Sequence, residues 1–525
     1  MAKEILCFCV FVCGILLGAC GGGSSHKEGR ANLIRPSPIP SVDAEGVLPE
    51  WVQLEYKPSS EYKGMCALPR SGTNSDGEAY GDQQGSERFE KFWLRSWSNE
   101  TYLWYDEIGD WNPGRFGLLE YFYKLRSQRL NKDRFHFAVD TDEWEQLSQS
   151  GISFGYGMEV LAFVSGGFLT DDIRVAFVEP GSPADEVGLK RGASIRRVDD
   201  VSVYDIDSED SITRLNNGLF PLAGGLATHD FTVVDLGSEL EREITMTARE
   251  VESAPVLLSK SVQSGDQKVG YLLFNDHIAT SEDALINAVE QLASDQVDEL
   301  VLDLRYNGGG YLAIASQLAY MISGRGLEEP VVFYEPQFND KHPAIDPVTK
   351  EPILALPFIS ESIGLSRDAG EFLPSLNLNR VVVIIGPDTC SASEAIINGL
   401  RGVGVDVGLV GDKTCGKPYG FYPQDNCGTT YFTIQFTGVN ALGFGDYAQG
   451  FEAEHSKSCD VADDLDHALG DSEEARFAAA LRLLDSGSCD NKALNMTSNK
   501  TSVSNEPIIR ALYRKPERSS AIWTH

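Results

Sequence analysis

An α/β core with an inserted, mainly β unit and a small N-terminal helical unit is the fold class this sequence predicts. Three observations lead there. Between Lys268 and Leu400, β-branched apolar runs of strand length alternate with segments of helical spacing, which is the signature of an α/β layer. Residues 151 to 250 break into short strands separated by turns, and residues 87 to 125 hold an aromatic-rich stretch compatible with helix. At 525 residues the chain exceeds what one core normally supports, so several units are expected, and 42% hydrophobic content is ordinary for globular ones.

The first element lies behind Lys3, where Ile5 to Ala19 is apolar but too short for a stable bilayer span and ends in Leu16-Leu17-Gly18-Ala19-Cys20. It resembles a bacterial lipoprotein signal. That resemblance implies a signal peptide over 1–19, a lipid on the Cys20 thiol, and a place in the cell envelope. Because Gly21 and not Asp follows the cysteine, it implies an outer-membrane anchor facing periplasm or surface; plain secretion is the alternative. Residues 20–87, with Gly21-Gly22-Gly23-Ser24-Ser25 and then Pro36, Pro38 and Pro40, read as tether and linker. Residues 88–150 follow as an N-terminal helical domain, whose Phe92, Trp93, Trp97 and Tyr102 read as packing.

The fourth segment, 151–250, holds Gly155-Tyr156-Gly157-Met158, then Glu179-Pro180-Gly181-Ser182-Pro183-Ala184 and Val187-Gly188-Leu189. It resembles a PDZ domain. The resemblance implies that Tyr156, Gly157 and Met158 offer backbone N–H groups to a peptide's C-terminal carboxylate, with the peptide added as an edge strand.

Residues 251–489 carry the α/β alternation. Lys268 to Phe274 reads as a strand, Ser281 to Ala293 as a helix capped by Ser281, and Glu299 to Arg305 as a strand running into Asn307-Gly308-Gly309-Gly310. The proline-rich stretch 326–375 reads as a long excursion over one face. Arg380 to Gly386 is apolar enough for an interior strand and Glu394 to Leu400 has helical spacing, so Ser391 falls at a strand-to-helix turn. Residues 490–525 form a mixed, polar tail with Ile508, Ile509, Leu512 and Tyr513 as its apolar points.

A serine at such a turn has its hydroxyl at a sheet edge, beside the unpaired N–H groups of a helix start, Ala392 among them. That is the placing of a nucleophile. The glycine loop at 308–310 lets backbone N–H groups approach a substrate; a phosphate cradle would need a Gly-Lys-Ser/Thr ending, and no lysine follows. In Thr414-Cys415-Gly416-Lys417-Pro418-Tyr419-Gly420, Lys417 is the candidate base. A free lysine has a pKa near ~10.4, so it serves as a base at neutral pH only if burial destabilises its ammonium by several units. Its neighbours Cys415, Tyr419 and Phe421 are apolar, and no acid lies between Thr414 and Pro423 in a chain with 78 acids. The eight histidines lack a partner motif; His277, at a strand end, reads as scaffold, as do Asp303 and Arg305.

Together, Asp303-Leu304-Arg305-Tyr306-Asn307-Gly308-Gly309, Ser391-Ala392-Ser393-Glu394 and Gly416-Lys417 resemble the carboxyl-terminal processing (tail-specific) serine peptidases, family S41, in their lipoprotein subset with a PDZ domain. The resemblance covers roughly 130 to 470. It implies a crotonase/ClpP-like α/β core and a Ser/Lys dyad of Ser391 and Lys417, with Ser393 as the rival nucleophile. It further implies an oxyanion hole from the N–H groups of Gly309 and Ala392, no cofactor, and polypeptide substrates with exposed C-termini. Where family members often carry Gln four residues after the lysine, this chain has Phe421. A non-catalytic peptide- or lipid-binding protein on the same fold is the alternative.

Other classes are disfavoured. A net charge of −34 spread along the chain repels phosphates and no basic stripe offsets it, so nucleic acid is not an expected partner. No Cys-x-x-Cys or His-x-x-x-His spacing suggests a metal. Cys66, Cys390, Cys415, Cys427, Cys459 and Cys489 permit disulfides in an exported chain, with 15 pairings open. The favoured reading joins Cys415 to Cys427 and Cys459 to Cys489, each bracketing one local segment, and leaves Cys66 with Cys390.

Overall fold

The computed structural model describes residues 48–489, apart from 75–76, 130–131, 166–167, 205–207, 224, 226, 328 and 453–457, together with 521–522. The expected signal peptide over 1–19, Cys20 and nearly all of the 490–525 tail lie outside the described residues. Among the described residues no helix is long and apolar enough to cross a membrane.

Packing begins at α1 (Glu87–Thr101), which buries Phe92, Trp93 and Trp97. They meet Tyr121, Phe122 and Tyr431, the last from far along the chain, and Trp93 stacks on Trp97 with ring centres 5.0 Å apart. β1 (Phe137–Asp140) then pairs antiparallel with Thr429–Phe432. The aromatic unit is thereby stitched to residues just beyond Lys417, and Tyr102, Phe137 and Trp144 belong to the same core as the main sheet.

The next unit is an antiparallel sheet of β2 (Met158–Ser165), β3 (Phe168–Val178), β4 (Ser194–Val198), β5 (Thr228–Val234) and β6 (Glu241–Thr247), in the order β6-β5-β4-β3-β2. In β5, His229, Phe231 and Val233 are buried while the residues between them are not, the period of two expected of a strand with one covered face. Ile173, Val175, Ile195, Leu215 and Phe231 form this unit's own core. Its entry and exit, Ile152–Gly155 and Arg249–Glu252, pair with each other, so the chain leaves the main body and returns at one place.

From there β7 (Val256–Ser264) and β8 (Gln267–Phe274) lead to α2 (Ser281–Ser294), β9 (Glu299–Asp303), the two-residue β10 (Gly310–Tyr311) and α3 (Leu312–Ser323). β11 (Arg380–Ile385), α4 (Ala392–Gly402), β12 (Asp406–Gly411), the two-residue β13 (Tyr419–Gly420), β14 (Ser458–Cys459) and α5 (Ala475–Ser486) complete the body. The sheet order is β7-β8-β9-β11-β12-β14, parallel throughout except for β7. A parallel sheet needs cover on both faces, which is why its strands are apolar on both sides. Leu272, Leu302 and Val383 face Leu285, Ile314 and Ile396 of α2, α3 and α4; Tyr271, Val301 and Ile384 face Phe477, Ala480 and Leu483 of α5.

Three details differ from expectation. Ser281 is the first residue of α2 and not its cap: its hydroxyl accepts from Ile278 N and donates to Asp276 O, fixing the turn before the helix. The excursion at 326–375 contains a strand, Val332–Phe338, paired with Phe436–Val439. Cysteine pairing is corrected for two of the three bonds, since Cys427 bonds Cys66 and Cys415 bonds Cys390, while Cys459 bonds Cys489 as expected. The reason is local: Gln424–Asn426 and Thr429–Phe432 form a tight hairpin that turns Cys427 toward Cys66, whereas Cys415 N donates to Thr389 O and sits beside Cys390.

Candidate active site

The three segments singled out in the sequence leave the carboxyl ends of three adjacent parallel strands. The glycine loop follows β9, the Ser391 turn follows β11, and Lys417 lies six residues past β12. Open α/β sheets bind their ligands at that edge. The segments are then tied to one another. Cys390 N and Ser393 Oγ both donate to Asn307 O, at 3.1 and 3.0 Å, and Thr389 Oγ1 donates to Leu304 O.

Ser391 stands at the start of α4 with φ +61 and ψ −112, a conformation that costs a non-glycine residue on the order of 1–3 kcal/mol and persists only where its surroundings enforce it. Its Oγ is buried and makes no hydrogen bond within the described protein. The hydroxyl of Ser393, by contrast, is committed to Asn307 O, and its side chain is fully buried. The two serines therefore differ in kind.

Glu394 is the organiser that sequence reasoning passed over. Its fully buried carboxylate accepts from Ser391 N (3.0 Å) and Lys417 N (2.7 Å) on Oε2, and from Thr414 Oγ1 (2.6 Å) and Gly416 N (2.9 Å) on Oε1. One oxygen thus holds the backbones of both Ser391 and Lys417. The disulfide Cys390–Cys415, with Cα atoms 5.2 Å apart, clamps the same two segments. Burial raises the pKa of Glu394, against the pull of its four donors; a carboxylate facing only donors has the geometry of the ionised form. The signal was in the sequence: an acid three residues after a serine at a helix start reaches back to the turn.

Lys417 is buried, and burial lowers its pKa to about 7, opposed by the charges of Asp133 and Glu394. Its Nζ lies 4.3 Å from the ring centre of Phe421 and 5.0 Å from that of Phe135. Those rings supply a dry wall with mild attraction for a cation. Phe421 thus takes the position where a Gln was expected, and Phe135 and Asp133 join the site from the N-terminal segment. Asp133 is buried, yet His136, the Tyr102 hydroxyl and Phe135 N hold its carboxyl below the usual range.

Gly309 has φ +101, and a Cβ there would fall 2.9 Å from Ala392 N and 3.0 Å from Ser391 Cβ, so only glycine fits. Its N–H donates to Asn307 Oδ1 at 2.9 Å, so in this structure it does not point freely at the site; Ala392 N lies in the helix's first turn, where no intrahelical acceptor exists. Asn307 Oδ1 also meets His277 Nδ1 at 2.9 Å, and burial lowers the His277 pKa to about 3, keeping the imidazole neutral. His277 N donates to Gly309 O and His277 O accepts from Tyr311 N, so the histidine frames the loop.

The loop's base is charged. Arg305, fully buried, donates to Asp303, Asp463 and Glu474, and Asp463 also receives Arg191 of the β unit at 2.8 Å. Arg191 further donates to the Tyr306 hydroxyl at 2.7 Å, so the β unit touches the strand end that carries the loop. The residues expected to receive a peptide there are placed as follows. Tyr156 buries its ring against Phe231; Gly157, at φ +69, would place a Cβ 2.3 Å from Ser182 Cβ; and Met158 opens β2, the terminal strand of its sheet.

Cys390, Glu394 and Cys415 lie close enough to suggest a metal group, but both sulfurs are spent in a disulfide and the carboxylate by four donors. Beside Pro418 and Tyr419 opens a cavity of about 520 Å3 lined also by Leu103, Trp104, Phe338 and Thr437.

Comparison with known proteins agrees with the resemblance. The chain is 25% identical over 276 residues to a carboxyl-terminal-processing protease of Picosynechococcus, covering 52% of this chain and 56% of that one. It is 25% identical over 373 residues to the Synechocystis protein of the same description, covering 67% of this chain and 75% of that one. The chain therefore spans little more than half the length of the first. A solved structure described as a putative S41 protease from Bacteroides fragilis shares the fold, with a TM-score of 0.58 at 24% identity over 75% of this chain and 97% of that one. Residues 268–421, which carry the glycine loop, Ser391 and Lys417, match the model of peptidase family S41, and the chain contains a peptidase S41 domain.

Proposed function

We propose that this protein is a serine endopeptidase in which Ser391 is the nucleophile and Lys417 the base, acting on exported polypeptides. One observation carries the reading: a buried lysine with a pKa near 7 shares the Glu394 carboxylate with a strained serine whose hydroxyl is uncommitted. The neutral Lys417 amine takes the Ser391 Oγ proton as Oγ bonds the scissile carbonyl carbon, and Ala392 N–H meets the developing oxyanion. The C–N bond then breaks, Lys417 returns its proton to the leaving amine, and an acyl-Ser391 ester remains. Water, deprotonated by Lys417, hydrolyses that ester and restores the serine. For Gly309 to add a second donor, its N–H must leave Asn307 Oδ1 when substrate enters.

The β unit is proposed to act as a PDZ domain, with a substrate tail added along β2 near Tyr156, Gly157 and Met158. Cys20 is proposed as a lipid anchor to the envelope; Cys20→Ser should move the protein from the membrane to the soluble fraction. The experiment for the central reading is hydrolysis of an unstructured protein by the purified chain, its Ser391→Ala and its Lys417→Met forms. Loss in both variants supports it, and wild-type rates in either reject it. A non-catalytic peptide binder is favoured by the engaged Gly309 amide alone, and turnover by the unaltered chain would exclude it.

A further inference from the structure

One described segment is absorbed by neither the catalytic machinery nor the β unit. β15 (Ala521–Ile522) pairs in parallel with β10, Ala521 opposite Gly310 and Ile522 opposite Tyr311. It also comes close to β13, Tyr419–Gly420. β10 directly follows Gly309, whose backbone abuts Ser391 and Ala392, and β13 begins two residues after Lys417. The chain's own residues 521–522 therefore lie between the strand that adjoins the glycine loop and the strand that adjoins the lysine. On its other side Gly310 is bridged to His277, and a Cβ at Gly310 would fall 2.2 Å from His277 O, so at Gly310 this edge presents main chain only. Main-chain pairing at a sheet edge is the way an extended polypeptide is held without regard to its sequence, and 521–522 uses it here.

We propose that the Gly310–Tyr311 edge, facing Tyr419–Gly420, is a polypeptide-binding subsite whose occupant in cis is the chain's own Ala521–Ile522 strand, so that this distal segment competes with polypeptide substrate. The competition rests on the peptidase reading above; the binding does not. A tethered segment has an effective concentration on the order of 1 mM, so a free-peptide Kd of about 0.1 mM corresponds to a roughly tenfold rise in apparent KM.

Two forms of the protein remove the occupant: the chain ended after Asn491, which keeps Cys489, and the full chain with Ala521→Pro and Ile522→Pro. Steady-state hydrolysis of an unstructured protein should show KM lowered about tenfold in both, on the effective-concentration argument, with kcat unchanged. A synthetic peptide of residues 508–525 should restore the high KM of the ended chain as a competitive inhibitor. In parallel, fluorescence anisotropy should show the labelled peptide binding the ended chain that also carries Ser391→Ala. Unchanged KM in both forms, or no peptide binding, overturns the inference while turnover leaves the peptidase reading intact. Peptide binding without hydrolysis by any form would instead reject the peptidase reading and uphold the subsite.

Discussion

The Ser391–Lys417 corner and the outer edge of the β unit are held by opposite means. At the corner, a disulfide, a buried carboxylate with four donors and two aromatic rings fix backbone and side chains alike. At the edge, Tyr156 O accepts from Ala184 N and Gly157 O from Glu179 N, which fixes one turn, while β2 runs outward as the last strand of its sheet. The unit is anchored to the main body through a hairpin-like neck and through Arg191 on Tyr306 and Asp463. Chemistry that depends on a dry base needs fixed atoms, and presentation of a varied polypeptide needs only a backbone edge.

That contrast orders the expected effects. The largest fall on the proposed dyad: Ser391→Ala and Lys417→Met should each lower kcat/KM by about 10^4-fold or more, measured on an unstructured protein. Lys417→Met should at the same time raise stability. Folding holds the Lys417 pKa down, so between about 7 and the unfolded value near ~10.4 the unfolded chain binds more protons and stability rises with pH. Removing the amine should then stabilise the protein at pH 7 by an amount on the order of a few kcal/mol, read by denaturant unfolding.

Next comes Glu394→Ala, which strips four donors of their acceptor. A loss of about 10^2-fold in kcat, with 2–4 kcal/mol of stability lost roughly in line with several orphaned buried donors, is expected from kinetics and urea melts. Glu394→Gln, which keeps one carbonyl oxygen, should recover part of the activity. Opening the clamp with Cys390→Ala and Cys415→Ala should cost about 3 kcal/mol for a loop of this length, and about tenfold in kcat as Lys417 loosens. The smallest effect on chemistry is expected at the β unit. Gly157→Ala, placed at φ +69 against Ser182, should raise KM for long polypeptides several-fold while leaving kcat for short peptides unchanged. Equal losses on both substrates would show that the two regions are not separable.

The strands and helices of the main sheet were legible because their burial pattern is strong and local: β8, β9 and β11 carry apolar residues on both faces, as a covered parallel sheet requires. Ser391 and Lys417 were legible as motifs. Their surroundings were not, since Asp133 and Phe135 reach Lys417 from nearly three hundred residues earlier and no local pattern announces a wall of rings. Cys459 pairs with Cys489 as expected, but the other two cysteine pairings failed for a related reason. Proximity in sequence favoured Cys415 with Cys427, but a hairpin turns Cys427 to Cys66, and a single backbone hydrogen bond to Thr389 settles Cys415 beside Cys390. The Gly309 amide was expected to face substrate, and its bond to Asn307 depends on a side chain whose aim no spacing reveals.

The measurement that tests the central claim most directly is the pH dependence of kcat/KM for the unaltered chain on a short unstructured substrate. Because only the neutral amine can accept the serine proton, activity should rise with pH along a single limb centred near 7 and then level off. A limb near the ordinary lysine value of ~10.4, or a profile with no limb above pH 5, would contradict a desolvated Lys417 as the base.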